Sequence, residues 1–445
     1  MSERMPATTG ELETAPKNAI EKTLSVFADV RGGEGSSVIL LGLNVFILLF
    51  AYYLLKTVRE ALILAESGAY VKAYSSAGQA ALMMLLVPLY GYLGTKVVRV
   101  RLLIGLLLFF ATNLVLFSAA GSAGAREGVV FYIWLGVFNM FAPSQMWALA
   151  NDIYTEGQGK RLFPVIGIGS SLGAWFGAKG AEQFIHKFNA SPYKLQMVAA
   201  ALLLVCCVVV FAVNRLSARH SSPDIAHRAV EKLAPGDGFA MIFRDRYLMW
   251  IAILMVLLNL VNTIGEFILG DLVAHNAQQL YPGNEAAQKS FIGAFYGGFF
   301  ANVNLLGFVL QAFAVSRVIK LIGVRRSLFV LPVISLITYS SIGLIPLLGF
   351  VKWGKTLENA TDYSLQNTVR QALFLPTSRE AKYKAKAAID TFFVRLGDVI
   401  QAGVVALGAF FHLAFAGFAW INAALTLVWL FAAMRLSREH RKLQP

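Results

Sequence analysis

Charge is scarce in this sequence. Of 445 residues only 14% are Asp, Glu, Lys or Arg, against roughly 25% in soluble domains. Apolar residues reach 57% and the mean hydropathy is +0.62. These values exclude an ordinary water-soluble core and point to an all-α polytopic membrane protein, each span needing about 20 apolar residues to cross about 30 Å of hydrocarbon. Cysteine is nearly missing. Cys206 and Cys207 are neighbours in an apolar run; adjacent residues make poor disulfide partners and two thiols alone hold no metal, so they read as small packing residues. A nucleophile triad, a metal-ligand spacing and the phosphate loop GxxxxGK[ST] are all lacking, and the six histidines are scattered. An enzyme is therefore not expected, nor a cofactor, nor a metal. The residues before Ser37 are polar and of mixed charge, without the short apolar core of a cleavable signal. The first span is expected to serve as its own insertion signal.

Apolar segments are present near 38–65, 69–92, 102–121, 128–150, 162–185, 194–214, 247–273, 290–321, 327–349, 354–376, 387–411 and 415–435. The fifth and tenth are weak by hydropathy, so eleven spans are an alternative to twelve. With a cytoplasmic N-terminus, the intervening cytoplasmic segments hold 27 of the 39 Lys and Arg, the bias expected of a correctly counted inner-membrane topology. Lys352 and Lys355 fall in an outside loop on this reading. The net charge of +14 is then topology and contact with the lipid bilayer, and its dispersal among loops speaks against nucleic acid as a partner. The polar stretch 215–246 divides the chain: a tail 1–37, a six-helix bundle 38–214, the linker, a second bundle 247–436 and a tail 437–445, with both termini cytoplasmic. YLGTKVVRVRLLI after the second span is echoed by KLIGVRRSLFV after the eighth. Twelve transmembrane helices in two six-helix bundles is the major facilitator architecture.

Charges at bilayer depth cost a few kcal/mol each and persist where they face protein or water. YYLLKTVREALIL places Lys56, Arg59 and Glu60 in one apolar run. Lys56 and Glu60 are four apart, on one face, and can pair; snorkelling at a span end is the plain alternative. Glu358, Asp362, Gln366 and Arg370 recur every four residues, a single stripe on the tenth segment. Arg395, Asp398 and Gln401 share a face of the eleventh, which also carries Asp390. Asn259, Asn262 and Glu266 share one on the seventh, and Asp271 sits near its outer end. Trp147 is either a stacking platform for a base or an interfacial anchor, and Asn151 follows it one turn on. Gly169, Gly173 and Gly177 form a small-residue stripe suited to close helix packing. The buried bases Lys56, Arg59, Lys72, Arg370 and Arg395 face seven acids, Glu60, Glu266, Asp271, Glu358, Asp362, Asp390 and Asp398.

Three stretches, YYLLKTVREALILAESGA, WALANDIYTEGQGKRLFPVIGIGSSLGA and REAKYKAKAAIDTFFVRLGDVIQAG, resemble the ATP/ADP translocase family of nucleotide transporters. The resemblance runs from about 38 to 436. It implies a twelve-helix carrier with ATP/ADP exchange as its best-known activity. Arg59 stands at the position of a family lysine; Trp147, Asn151, Lys160, Arg161 and Pro164 match the link between the fourth and fifth helices; Ile389 and Asp390 match the eleventh. Asn262 stands where the family carries an acid, and Asp398 where it carries a lysine. A counterpart of the family's fourth-helix acid is not found.

The expectation is an alternating-access transporter. Lys56, Arg59, Arg370 and Arg395 would hold an anionic small molecule, such as ATP, ADP or an organic phosphate, guanidinium forks suiting phosphate, with Trp147, Asn151 and Asn262 as further binding candidates. Glu60, Glu266, Glu358, Asp362, Asp390 and Asp398 would couple or gate. Two alternatives stay open: a carrier of another small solute with protons as coupling partner, which the excess of acids suits, and a membrane scaffold of the same fold.

Overall fold

The computed structural model describes residues 21–22, 30–31, 34–94, 99–154, 156–218, 238–345, 347–378 and 380–443. Most of the expected N-terminal tail and linker lies outside the described residues, as does the side chain of Lys160. The described chain is helical almost throughout, as it must be where lipid offers no partner to backbone groups. Its helices are α1 (Gly35–Gly94), α2 (Arg99–Ser122), α3 (Gly128–Ile153), α4 (Glu156–Phe188), α5 (Pro192–Ala218), α6 (Gly238–Arg244), α7 (Arg246–Leu280), α8 (Glu285–Val309), α9 (Val315–Ser327), α10 (Val330–Leu344), α11 (Leu348–Thr361), α12 (Asn367–Leu373), α13 (Lys386–Ala388), α14 (Val394–Phe410) and α15 (Phe415–Lys442). Single π-helical turns join α8 to α9, α11 to α12 and α13 to α14 (Leu310–Ala314, Asp362–Gln366 and Ile389–Phe393), and a fourth precedes α13 at Ala381–Ala385.

Among the described residues, eight helical stretches are long and apolar enough to cross a membrane. The difference from twelve has identifiable sources. Gly68, at φ 79°, bends α1 into two arms that count as one stretch; this backbone conformation is open mainly to glycine. Gly323, at φ 75°, makes a similar bend within α9. Helix α4 and the α11–α12 pair are too polar to qualify, in keeping with the weak fifth and tenth segments of the sequence, and α10 has only 15 residues. Helix starts follow local chemistry: Asp245 accepts from the N–H of Tyr247 at 2.7 Å to cap α7, and Asn284 from that of Ala287 at 3.0 Å to cap α8.

Helix α1 is the centre of the fold, its two arms together packed by α3, α4, α5, α7, α8 and α14. Its contact with α4 is set by the glycine stripe. A Cβ on Gly169, Gly173 or Gly177 would fall 2.3–2.4 Å from the carbonyl oxygens of Gly42, Phe46 and Phe50. The two backbones touch at every turn, a spacing no side chain permits. Gly173→Ala is expected to push the helices apart and cost about 1–3 kcal/mol, read as a lower Tm of the purified protein; an unchanged Tm would mean the contact is looser than described. At the other end of the chain, the buried Tyr247 hydroxyl donates to the Leu373 carbonyl at 2.7 Å and lies 2.8 Å from His440 Nδ1, fastening α15 to α7 and α12.

Candidate functional site

The charges of the opening stretch lie inside the fold, and one turn of α1 gathers them. Glu60 is fully buried and is shared by two cations: Arg59, with Nε at 3.0 Å, and Lys72, with Nζ at 2.6 Å. Lys72 arrives on the second arm of α1, brought back by the Gly68 bend. This corrects the expected Lys56–Glu60 pair: a tertiary partner at close range outbids an i,i+4 neighbour. Lys56 instead sits over the ring of Phe300 at 4.2 Å and that of Tyr53 at 5.2 Å. Arg59 stacks on Tyr132 at 4.5 Å. Lys56, Arg59 and Lys72 line one cavity of about 150 Å³, opposite Asn262, Glu266 and Gln401.

The opposite wall is built around a residue that the sequence placed wrongly. Lys355, expected in an outside loop, is fully buried in α11. Its Nζ lies 3.3 Å from Glu358 and 3.8 Å from Glu266, and donates to Asn262 Oδ1 at 2.9 Å. Glu358 accepts from the Tyr339 hydroxyl at 2.6 Å, and Glu266 from Asn359 at 2.9 Å. Gly265 makes room: a Cβ there would meet the Tyr339 hydroxyl at 1.9 Å and Lys355 Nζ at 2.9 Å. In the sequence Lys352, Trp353 and Gly354 read as a loop, whereas α11 runs through them; only the i,i+3 spacing of Lys355 and Glu358 hinted at an internal pair.

The remaining candidates spread out. Asp398 is buried, accepting from Asn259 at 2.8 Å and pairing with Arg395 at 3.2 Å, one layer from the cavity that Gln401 lines. The period-four stripe of the tenth segment is broken by the π turn Asp362–Gln366, since the spacing presumed an unbroken α-helix. Glu358 and Gln366 are buried, whereas Asp362 is half-buried and Arg370 bonds Asn367 at 2.8 Å away from the cavity lining. Asp390 pairs with Lys386 at 2.8 Å. Trp147 packs edge-on against Phe163, centroids 5.7 Å apart, and Asn151 is exposed at the end of α3; neither lines the cavity. Arg161 of the family-like link holds Glu34, Nη2 to Oε1 2.8 Å.

A second charged cluster ties helices together at the far end of the first arm of α1. Lys289 of α8 reaches Glu66 at 2.8 Å, Glu285 at 2.9 Å and the Tyr193 hydroxyl at 3.1 Å. The other oxygen of Glu66 accepts from the N–H of Gly128 at 2.8 Å. Beside it Glu127, just ahead of α3, accepts from Gln196 at 2.6 Å. Burial pushes the Glu127 carboxyl up to about 7, with Glu66 adding to the rise and Gln196 and Lys289 opposing it. The folded chain therefore holds a proton that the unfolded chain releases near 4.5. Stability should fall as pH rises from about 4.5 to about 7, at up to about 1.4 kcal/mol per pH unit. Glu127→Gln is expected to flatten this part of the Tm–pH curve; a fall that is unchanged would assign it to other groups.

The family model described as TLC ATP/ADP transporter matches residues 129–440. The ADP,ATP carrier protein 1 of Chlamydia trachomatis serovar D is 22% identical over 350 residues, covering 69% of this chain and 64% of that protein. The ADP,ATP carrier protein 4 of Rickettsia bellii is 23% identical over 360 residues, covering 70% and 67%. The chain thus spans about 64% of the length of the Chlamydia relatives it matches. Among solved structures, the nucleoside transporter NupG overlays with TM-score 0.63 at 16% identity, over 89% of this chain and 98% of that one. A bacterial homologue of the iron transporter ferroportin, in an inward-facing state, also gives 0.63, at 15% identity over 90% and 98%. These overlays show an all-α, multi-pass fold of the major facilitator type. The family match covers most of the chain, and the protein belongs to the TLC ATP/ADP transporter family.

Proposed function

We propose that this protein is an alternating-access exchanger of nucleotides or related organic phosphates in a bacterial inner membrane. It would have twelve spans in two six-helix halves, 38–214 and 247–436, and cytoplasmic termini. The observation that carries the reading is the central cavity: of the three α1 cations that line it, Arg59 and Lys72 share the single carboxylate of Glu60 while Lys56 rests on aromatic rings, and Glu266 on the facing wall belongs to the Lys355–Glu266–Glu358 cluster of the other half. Family membership supplies the transport class, and ATP and ADP are named by the relatives. The cluster around Lys289 is read as an outer gate, closed here. Next to it Gly297 of α8 lies so near α4 that a Cβ would be 2.8 Å from the Glu182 nitrogen. In this account an anion entering between the halves takes hydrogen bonds from Lys56, Arg59 and Lys72 and loosens the hold of Arg59 and Lys72 on Glu60. That changes which half the cations favour and lets the gate exchange. Arg395 with Asp398, and Asp362, would tune the second half from one layer out, and protons are a candidate coupling partner through Glu127.

The test is ligand stabilisation of the purified protein. A nucleotide present at about 100 times its Kd should add about 2.7 kcal/mol, raising the Tm visibly in wild type and not in Arg59→Ala. Well-folded wild type that no nucleotide or organic phosphate stabilises would overturn the reading.

A further inference from the structure

We infer that the central cavity is built for a low-charge phosphate monoester, of the nucleoside monophosphate class, in preference to a di- or triphosphate. The inference rests on the transport reading above and refines its substrate. It follows from counting which charges are already spoken for. On the α1 wall Lys56, Arg59 and Lys72 face the cavity, but Arg59 and Lys72 share Glu60. Lys56 meets no carboxylate among the described residues and is held by the rings of Phe300 and Tyr53. On the other wall the ammonium of Lys355 is enclosed by Glu358 and Glu266, and Glu266 lines the cavity with 24% of its side chain exposed.

One wall therefore carries an excess of two positive charges and the other an excess of one negative charge, close to one positive charge for the whole. A buried anion is tolerated only as far as its surroundings neutralise it. A monoester dianion comes near that balance, whereas each added phosphate leaves a further charge uncompensated against Glu266. The two walls also differ in kind. The α1 wall offers ammonium and guanidinium donors to a phosphoryl group. The facing wall offers the carboxylate of Glu266 and the side-chain amides of Asn262 and Gln401. That wall suits the hydroxyl or amino donors at a nucleoside's other end.

The experiment is calorimetric binding of AMP, ADP, ATP and ribose 5-phosphate to the purified full chain, without added magnesium, in wild type, Lys56→Met and Glu266→Gln. Wild type should bind AMP at least about 10-fold more tightly than ADP, a difference of about 1.4 kcal/mol, and ATP more weakly still. Lys56→Met should weaken AMP at least as much as it weakens ADP. Glu266→Gln, which removes the opposing charge, should narrow the AMP-to-ADP ratio while the protein keeps its fold. Affinity rising from AMP through ADP to ATP would overturn the inference and leave the nucleotide reading standing. Ribose 5-phosphate binding as tightly as AMP, with both ahead of ADP, would support the low-charge monoester and overturn the nucleoside part. Binding of none of the four by folded protein would overturn both.

Discussion

Glu60→Gln is expected to be the most damaging single substitution in the protein, lowering stability by about 3–5 kcal/mol, the usual cost of removing one partner from a buried charge pair. Glu60 has no exposed surface, and two cations converge on it. Glutamine fills the same space but leaves Arg59 and Lys72 beside each other without a counter-charge, both largely buried. The expected readout is a sharp fall in Tm and in yield of folded protein. Removing a cation as well should help: Glu60→Gln with Lys72→Met is expected to be milder than Glu60→Gln alone, a coupling of about 0.5–3 kcal/mol. A double variant as unstable as the sum of the singles would show that the three residues do not act as one cluster.

The second large effect is expected at the closed gate. In Lys289→Met the buried carboxylate of Glu66 keeps its bond from Gly128 but loses its cation, again a loss of about 3–5 kcal/mol if the protein cannot respond. Here it can respond. Parting α8 from α1 and α4 brings Glu66 to water and relieves the cost, so the penalty should appear as a shift toward the form open at that end. A cysteine introduced at Ile185, which packs against Gly293 of α8, reports the shift once Cys206 and Cys207 have been replaced by serine. Its labelling by a membrane-impermeant thiol reagent is expected to rise at least about 10-fold in Lys289→Met, corresponding to about 1.4 kcal/mol of conformational bias. Unchanged labelling with a lower Tm would make the cluster a structural tie and not a gate.

Much of this was legible in the sequence, for physical reasons that differ by residue. Long apolar runs can only be helices in lipid, so the element order and the break at Gly68 were readable from hydropathy. The charges of the opening stretch stood out because a span has no cheap way to carry them. The glycine stripe of α4 announced a close contact, although not that α1 was its partner. What the sequence could not supply was tertiary choice. Lys56 and Glu60 have good helical spacing, but Lys72 wins the carboxylate from the far side of a bend. Lys355 sits in a segment polar enough to pass for a loop, and its burial is set by Glu266 and Tyr339 on other helices. The stripe from Glu358 to Arg370 was extrapolated at α-helical pitch through a π turn, which no local composition signals. Asn262 and Glu266 could be placed on one face of the seventh segment; that this face meets the cations of the first depended on how the helices assemble.

The central claim is that cations on α1 bind an anionic cargo that the protein exchanges across the membrane. Counterflow tests it most directly. Proteoliposomes holding the purified protein are loaded with unlabelled AMP or ADP, and uptake of the same labelled nucleotide is followed in wild type and in Arg59→Ala. The account predicts uptake that requires internal nucleotide and is lost in Arg59→Ala while the variant remains folded. Uptake that is indifferent to internal nucleotide, or that survives in Arg59→Ala, would contradict it.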